Sequence, residues 1–269
     1  MSQIRELTGG RRLSHDIVSE KGFYTRSVGD KCQIFSDFLG SGPLPLVGAA
    51  GSGASVFVNQ DTSSAGSPTL THLGTDDLSS DPTAPYTPGA YRMKFSNTDE
   101  AQKLTLYNGD QENIPGGKRI IFEARCRITG TFTADDRVCI GLASGRNATL
   151  DSISRSIWFR IEGANTNILV ESDDATTNID DVDTGKDFVS GQYHTFKIDV
   201  SDIRDIKFFV DGDRCTTPNA ATNNKMTAAQ IVTGTLQPFI EIQKDGGTVE
   251  HSIDVDYISV LWDRTPGVD

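Results

Sequence analysis

Acidic side chains dominate the chemistry open to this chain, and their spacing limits what that chemistry can be. Between Glu171 and Asp187 lie Glu171, Asp173, Asp174, Asp180, Asp181, Asp183 and Asp187, against the one lysine Lys186. Carboxylate oxygens are the hard ligands that Ca²⁺ takes. Asp173, Asp174, Asp180, Asp181 and Asp183 are therefore a candidate structural calcium site. The segment does not follow the spacing of an EF-hand loop, and carboxylates simply solvated in a loop give the same composition. A second calcium candidate joins Asp37 to Asp254 or Asp256, if the first and last strands pair. No other cofactor is expected.

Cleaving a glycosidic bond takes two carboxyls flanking it, and alternate positions on a β-strand share one face. Glu250, Ser252, Asp254 and Asp256 come nearest to such a series. Serine interrupts the alternating carboxyls, so the stretch reads as a solvated polar strand face. In SIWFRIEG, Ile157, Phe159 and Ile161 take the core parity, which turns Trp158 and Arg160 outward. An indole beside a guanidinium can stack on a saccharide ring, anchor a neighbouring protein as Trp and Arg do at interface hot spots, or be covered by the chain's own loops. His15, His72, His194 and His251 sit in unrelated contexts, and His194 has the apolar parity of a satisfied core residue. G-x-S-x-G, P-loop and H-E-x-x-H sequences are absent.

The elements that would position these groups are strands. The stretch YHTFKIDVSDIRDIKFFVDGDR, residues 193 to 214, holds two arms of period-two alternation, and Asp211-Gly212 supplies the positive φ angles of a tight reversal. RIIFEARCRI places Ile120, Phe122, Ala124, Cys126 and Ile128 on one side, with Ile121, Glu123, Arg125 and Arg127 on the other. Further strands are expected at residues 90–95, 104–107, 138–142, 156–161, 168–171, 236–243 and 253–262, and a helical turn at 227–232. Cys126 shares the core parity of its strand and Cys139 opposes that of its own; with Cys32 and Cys215 isolated, free thiols are expected.

The strand KFFVDGDR, about forty residues before the closing IDVDYISV, resembles the concanavalin A-like lectin/glucanase superfamily, the laminin G-type jelly rolls, over roughly residues 118 to 264. The resemblance implies an all-β fold, a two-sheet antiparallel jelly-roll sandwich over 35–264. It also implies that a short strand near IFSDFLG (34–40) pairs with the last one. Residues 41–88, rich in Gly, Ser, Thr, Pro and Asp, read as a loop-rich insertion with two or three short strands. Residues 1–34 read as an extended N-terminal arm, and 265–269 as a C-terminal tail.

The chain of 269 residues carries Asp+Glu 37 against Lys+Arg 25, a net charge of -12. That balance disfavours nucleic acid and anionic membrane as partners. No apolar run approaches a membrane span, and the charged opening MSQIRELTGGRRLSHDIV lacks the apolar core of a secretory signal. Residues 1–34 are net positive. Together with the sandwich, this arm resembles the virion proteins of tailed bacteriophages, head-decoration proteins above all. The expectation is a non-enzymatic capsid decoration or cement protein, made in host cytoplasm and carried in the virion. Arg11, Arg12 and Arg26 would clip it to the major capsid protein, another virion subunit or a sister copy, and the resemblance implies a homo-oligomer such as a trimer. The alternative is a lectin-like module that adheres to glycans.

Overall fold

A computed structural model describes residues 23–28, 31–38, 58–64, 66–73, 89–109, 114–216, 226 and 228–263. Alternation dictates what they form: seventeen strands, with one 3-10 turn at Leu150–Ser152. In chain order they are β1 (Phe23–Val28), β2 (Lys31–Ser36), β3 (Val58–Asp61), β4 (Thr69–Leu73), β5 (Ala90–Lys94), β6 (Gln102–Tyr107) and β7 (Ile114–Pro115). Then come β8 (Ile120–Thr129), β9 (Asp136–Ala143), β10 (Ser156–Glu162), β11 (Asn167–Asp173), β12 (Asn178–Asp187), β13 (Tyr193–Asp199), β14 (Lys207–Val210), β15 (Asp213–Arg214), β16 (Thr235–Lys244) and β17 (Ser252–Asp263).

These strands make two antiparallel sheets. One has nine strands in the order β1-β2-β17-β8-β13-β14-β15, with β5 also on β17 and β4 beyond it; the other has eight, β12-β11-β10-β9-β16-β6-β3, with β7 on β16. Along the chain the strands change sheet repeatedly, as between β8 and β9 and between β16 and β17, so each sheet is built from distant stretches. Phe159 of the eight-stranded sheet meets Phe196 and Phe208 of the other at centroid distances of 5.2 and 5.5 Å. Around that contact, one continuous core takes the predicted inward residues Ile120, Phe122, Ala124, Cys126 and Ile128. The hairpin of β13 and β14 forms as expected, and Asp211 (φ 54) and Gly212 (φ 83) make the turn into β15.

Several expectations shift. Part of the stretch 1–34 expected as an extended arm is strand: β1 and β2 form a hairpin whose second strand pairs with β17, from Ser36 opposite Ile258 to Lys31 opposite Asp263, while residues 1–22 lie outside the described residues. The pairing of first and last strands is thus present, but it begins inside the arm. Arg26 sits on β1 opposite Gln33, while Arg11 and Arg12 lie outside the described residues. Within 41–88, β3 and β4 are the described strands. The acidic stretch expected as a loop is instead the β11–β12 hairpin, because its Ile179, Val182 and Thr184 still give one face to pack. No helix forms over the described part of 227–232.

The stretch expected as a solvated strand face is not one. Asp254 is fully buried, and its oxygens accept hydrogen bonds from Arg92 (2.7 and 3.0 Å) and Arg127 (2.9 and 2.5 Å) on the two flanking strands. Asp256 lies at a bulge where β17 shifts register against β8, and pairs with Arg125 at 2.6 Å. Asp254 is therefore saturated by guanidinium groups, which removes it as a metal ligand beside Asp37. Removing one partner of a buried pair leaves an uncompensated charge costing about 3–5 kcal/mol. Asp254→Ala is expected to destabilise by about that much in urea unfolding, with Arg127 stranded; a loss under about 1 kcal/mol would contradict the assignment.

A second buried contact sets a pH dependence. His251 Nε2 lies 2.9 Å from Asp136 Oδ2, which also accepts from the backbone N–H and hydroxyl of Thr133. Burial alone would raise the Asp136 pKa, but these partners outweigh it and hold the carboxyl below its ordinary value. A lowered folded-state pKa gives stability that is present above the unfolded value near about 4 and fades as pH falls through the folded one. Asp136→Asn should therefore lower the melting temperature at pH 7, with the gap to wild type closing as pH falls below the ordinary carboxylate range. A gap independent of pH would count against it.

Candidate functional site

The outer face of the eight-stranded sheet collects the groups with chemical potential. Cross-strand register places Trp158 and Phe239 on either side of Gly141, with Tyr107 beyond Phe239. The two large rings approach to 5.8 Å with planes nearly parallel. Gly141 makes this possible, since a Cβ there would meet Ile157 O at 2.4 Å and Trp158 Cα at 2.6 Å. One pair of residues along, Arg160 and Cys139 face Glu241 and Thr105, and Glu171 lies across from Trp158.

The outward direction expected for Trp158 and Arg160 is right, but their exposure is not. Trp158 is 0% exposed and Arg160 7%. The β9–β10 connection, residues 144–155, folds back as a strap: Leu150 and Ile153 join Trp158, Phe239, Tyr107, Cys139 and Ala143 in a second apolar cluster. Arg160 is enclosed by Asp151 of the strap (2.8 Å), Glu162 (2.8 Å) and Glu171 (2.5 Å). Uncovering Leu150 and Ile153 would cost roughly 3–6 kcal/mol, so about one molecule in a hundred or fewer would present the ring pair to solvent. Of the three readings for Trp158 and Arg160, coverage by the chain's own loop is the one observed.

Beside the strap the same face stays open. A cavity of about 330 Å³ is lined by Thr62, Ser64, Gln102, Lys103, Arg146, Gln243 and Asp245, with Ala148 of the strap at its wall. Lys103 Nζ donates to Ala148 O, while Arg146 donates through Nε to Thr105 Oγ1 (3.0 Å) and through Nη2 to Thr62 Oγ1. Glu241 lies fully buried under these cations, accepting from Thr105 at 2.6 Å, with Lys103 at 3.7 Å and Arg146 at 3.9 Å.

Glu241, Gln243 and Asp245 occupy alternate positions at the end of β16. They approach the glucanase carboxylate series more closely than Glu250 to Asp256 does, and the residues 241–245 (EIQKD) carried that signal in sequence. Amide has replaced carboxyl at the middle position. Burial pushes the Glu241 pKa up, and Thr105, Lys103 and Arg146 only partly offset it. Asp245 is exposed; what desolvation it meets would raise its pKa, yet hydrogen bonds from Gln243 (2.6 Å) and Arg137 (2.8 Å) hold it below its ordinary value. The group tuned as an acid is sealed, and the reachable one is tuned as a carboxylate.

Other candidates resolve as structural. Asp173 and Asp174 accept from the backbone N–H groups of Ala175, Thr176 and Thr177 in the β11–β12 turn; Asp180 accepts from Asn178 and Asp183 from Gly185. Their carboxylates serve their own neighbourhoods, and no group of three or more His, Cys, Asp or Glu among the described residues converges to hold a metal ion. His194 accepts the Val189 N–H at Nε2 (3.0 Å), which puts its ring proton on Nδ1, facing Asp211 at 2.6 Å. Neither nitrogen is left for a substrate. All four cysteines are free thiols, and burial pushes Cys126 and Cys139 well up and Cys215 to about 11.

No protein-family model and no curated protein matches the chain. Solved structures do. The carbohydrate recognition domain of Emp47p aligns at 9% identity over 83% of this chain and 95% of its own, with a TM-score of 0.50. A structure described under endo-acting O-glycanases that human gut microbiota express to initiate mucin breakdown aligns at 10% identity over 85% and 98%, TM-score 0.50. A protein of unknown function from Shewanella oneidensis MR-1, SO2946, aligns at 14% identity over 91% and 92%, TM-score 0.52. Two antiparallel sheets in this arrangement, shared across nearly the whole length of these proteins, are the concanavalin A-like jelly-roll sandwich.

Proposed function

We propose that the protein is a carbohydrate-binding module that holds a saccharide in the cavity beside the strap, and that it binds rather than cleaves. The observation that carries this reading is the cavity itself. It is open, about 330 Å³ in volume and lined by hydroxyl, amide, ammonium and guanidinium groups on a rigid sheet. That volume lies at the low end of small-ligand sites, which are about 300–1,000 Å³. Its polar lining suits a ligand that is mostly hydroxyl groups. Two of the structures sharing this fold are described by carbohydrate recognition and by O-glycan breakdown, which supports the same class of ligand.

Hydrolysis has less behind it. A general acid must reach the leaving oxygen, and Glu241 is enclosed by Thr105, Lys103 and Arg146. The head-decoration reading gains nothing from these relatives. Of its three clip residues, Arg26 lies on a strand that pairs with the body's own edge, and Arg11 and Arg12 are outside the described residues. Its test is separate: deletion of residues 1–22 should abolish incorporation into phage particles.

Ser64 stands exposed on the cavity rim. Ser64→Trp should fill the cavity and abolish glycan-array binding while the melting temperature stays within a few degrees. Unchanged binding in that variant would sink the assignment of the site. Trp158→Ala should instead cost about 3–5 kcal/mol of stability, and its folded fraction should still bind. No release of reducing ends from β-glucan is expected; sustained release would replace the binding reading with an enzymatic one.

A further inference from the structure

We infer that the saccharide held in this cavity is anionic, bearing a carboxylate or a sulfate; the inference rests on the binding reading above and narrows its ligand. The protein as a whole is acidic, at -12, yet the cavity gathers two cations, Lys103 and Arg146, against the single lining carboxylate Asp245. Asp245 is itself matched by Arg137 at 2.8 Å. Glu241 beneath serves two cations at once, 3.7 Å from Lys103 and 3.9 Å from Arg146. Positive charge therefore remains in excess in one concavity of a negative molecule. Like charges held together repel, and low-dielectric walls focus their field. An anionic group entering the cavity relieves that repulsion.

Lys244 points to the other face of β16, where it donates to the carbonyls of Ser96, Thr98 and Gly247, each at 2.8 Å, and serves the fold. Lys103 and Arg146 keep donors to offer. The Lys103 ammonium makes one hydrogen bond, to Ala148 O, and Glu241 at 3.7 Å is beyond hydrogen-bond reach. The Arg146 fork is fixed by Thr105 and Thr62, leaving Nη1 without a hydrogen-bond partner among the described residues. Both side chains are already ordered, so an anion meets them at little conformational cost. Each charge-assisted hydrogen bond so gained is worth roughly ten- to a hundredfold in affinity.

A glycan array carrying neutral, carboxylated and sulfated saccharides tests this with wild type, Lys103→Gln/Arg146→Gln and Ser64→Glu. The expected signal falls on the carboxylated or the sulfated arm, whichever the site prefers. It should weaken roughly tenfold or more from low salt to about 500 mM, and drop comparably in both variants. Ser64→Glu puts a negative charge on the exposed rim, so it still decides the matter if the double variant, which strips Glu241 of its cations, does not fold. Neutral glycans bound as strongly, or acidic glycans indifferent to salt and to Ser64→Glu, would overturn the anionic inference and leave the binding module standing. Silence on all three arms would overturn both.

Discussion

The eight-stranded sheet has to be covered on both faces over part of its width, and most of what is distinctive in this protein follows from that. On its inner face Phe159 and Ile140 meet the second sheet, as in any sandwich. On its outer face Trp158, Phe239 and Tyr107 are too large and apolar to leave in water, and the described residues form no third layer to cover them. Residues 144–155 supply the missing cover from within the chain. The strap in turn fixes the site: Ala148 and Arg146 belong to it, and they form one wall of the cavity whose floor is β6 and β16. Stability of one half of the face and openness of the other have a common origin.

Charges on the outer faces obey a matching constraint. Where side chains are packed under others, these carboxylates each have an opposite within reach: Asp254 between Arg92 and Arg127, Glu171 against Arg160, Glu241 against Lys103 and Arg146. Burying an unpaired charge would cost several kcal/mol, so these arginines are as much a part of the fold as the phenylalanines. The cavity is the place where the pairing runs uneven, and that imbalance is what marks it.

The fold was legible because period two repeats across strands long enough to show it: Ile120 to Ile128, His194 to Ile198 and Phe208 to Val210 all face as the alternation says. The direction of Trp158 was legible for the same reason, but its burial was not. Burial depended on a loop whose Leu150 and Ile153 carry no periodic signal and lie more than eighty residues before Phe239. The acidic run misled for a related cause: composition suggested a loop, whereas Ile179, Val182 and Thr184 were enough to make a strand at the sheet's edge. Asp254 looked solvated because its partners, Arg92 and Arg127, are each more than a hundred residues away. The cavity could not have been found from one stretch alone, since it draws on residues 62–64, 101–103, 146–148 and 243–245.

The bulge at Asp256 lets β17 serve three strands, with β8 along one edge and β5 then β2 along the other. A single late segment thus completes the nine-stranded sheet. During synthesis, β2, β5 and β8 emerge long before their shared partner, and their unpaired backbones stay open to other chains until it arrives. Folding is then governed by contacts between distant stretches, which form slowly. The nine-stranded layer therefore stays open on the ribosome until β17 has emerged.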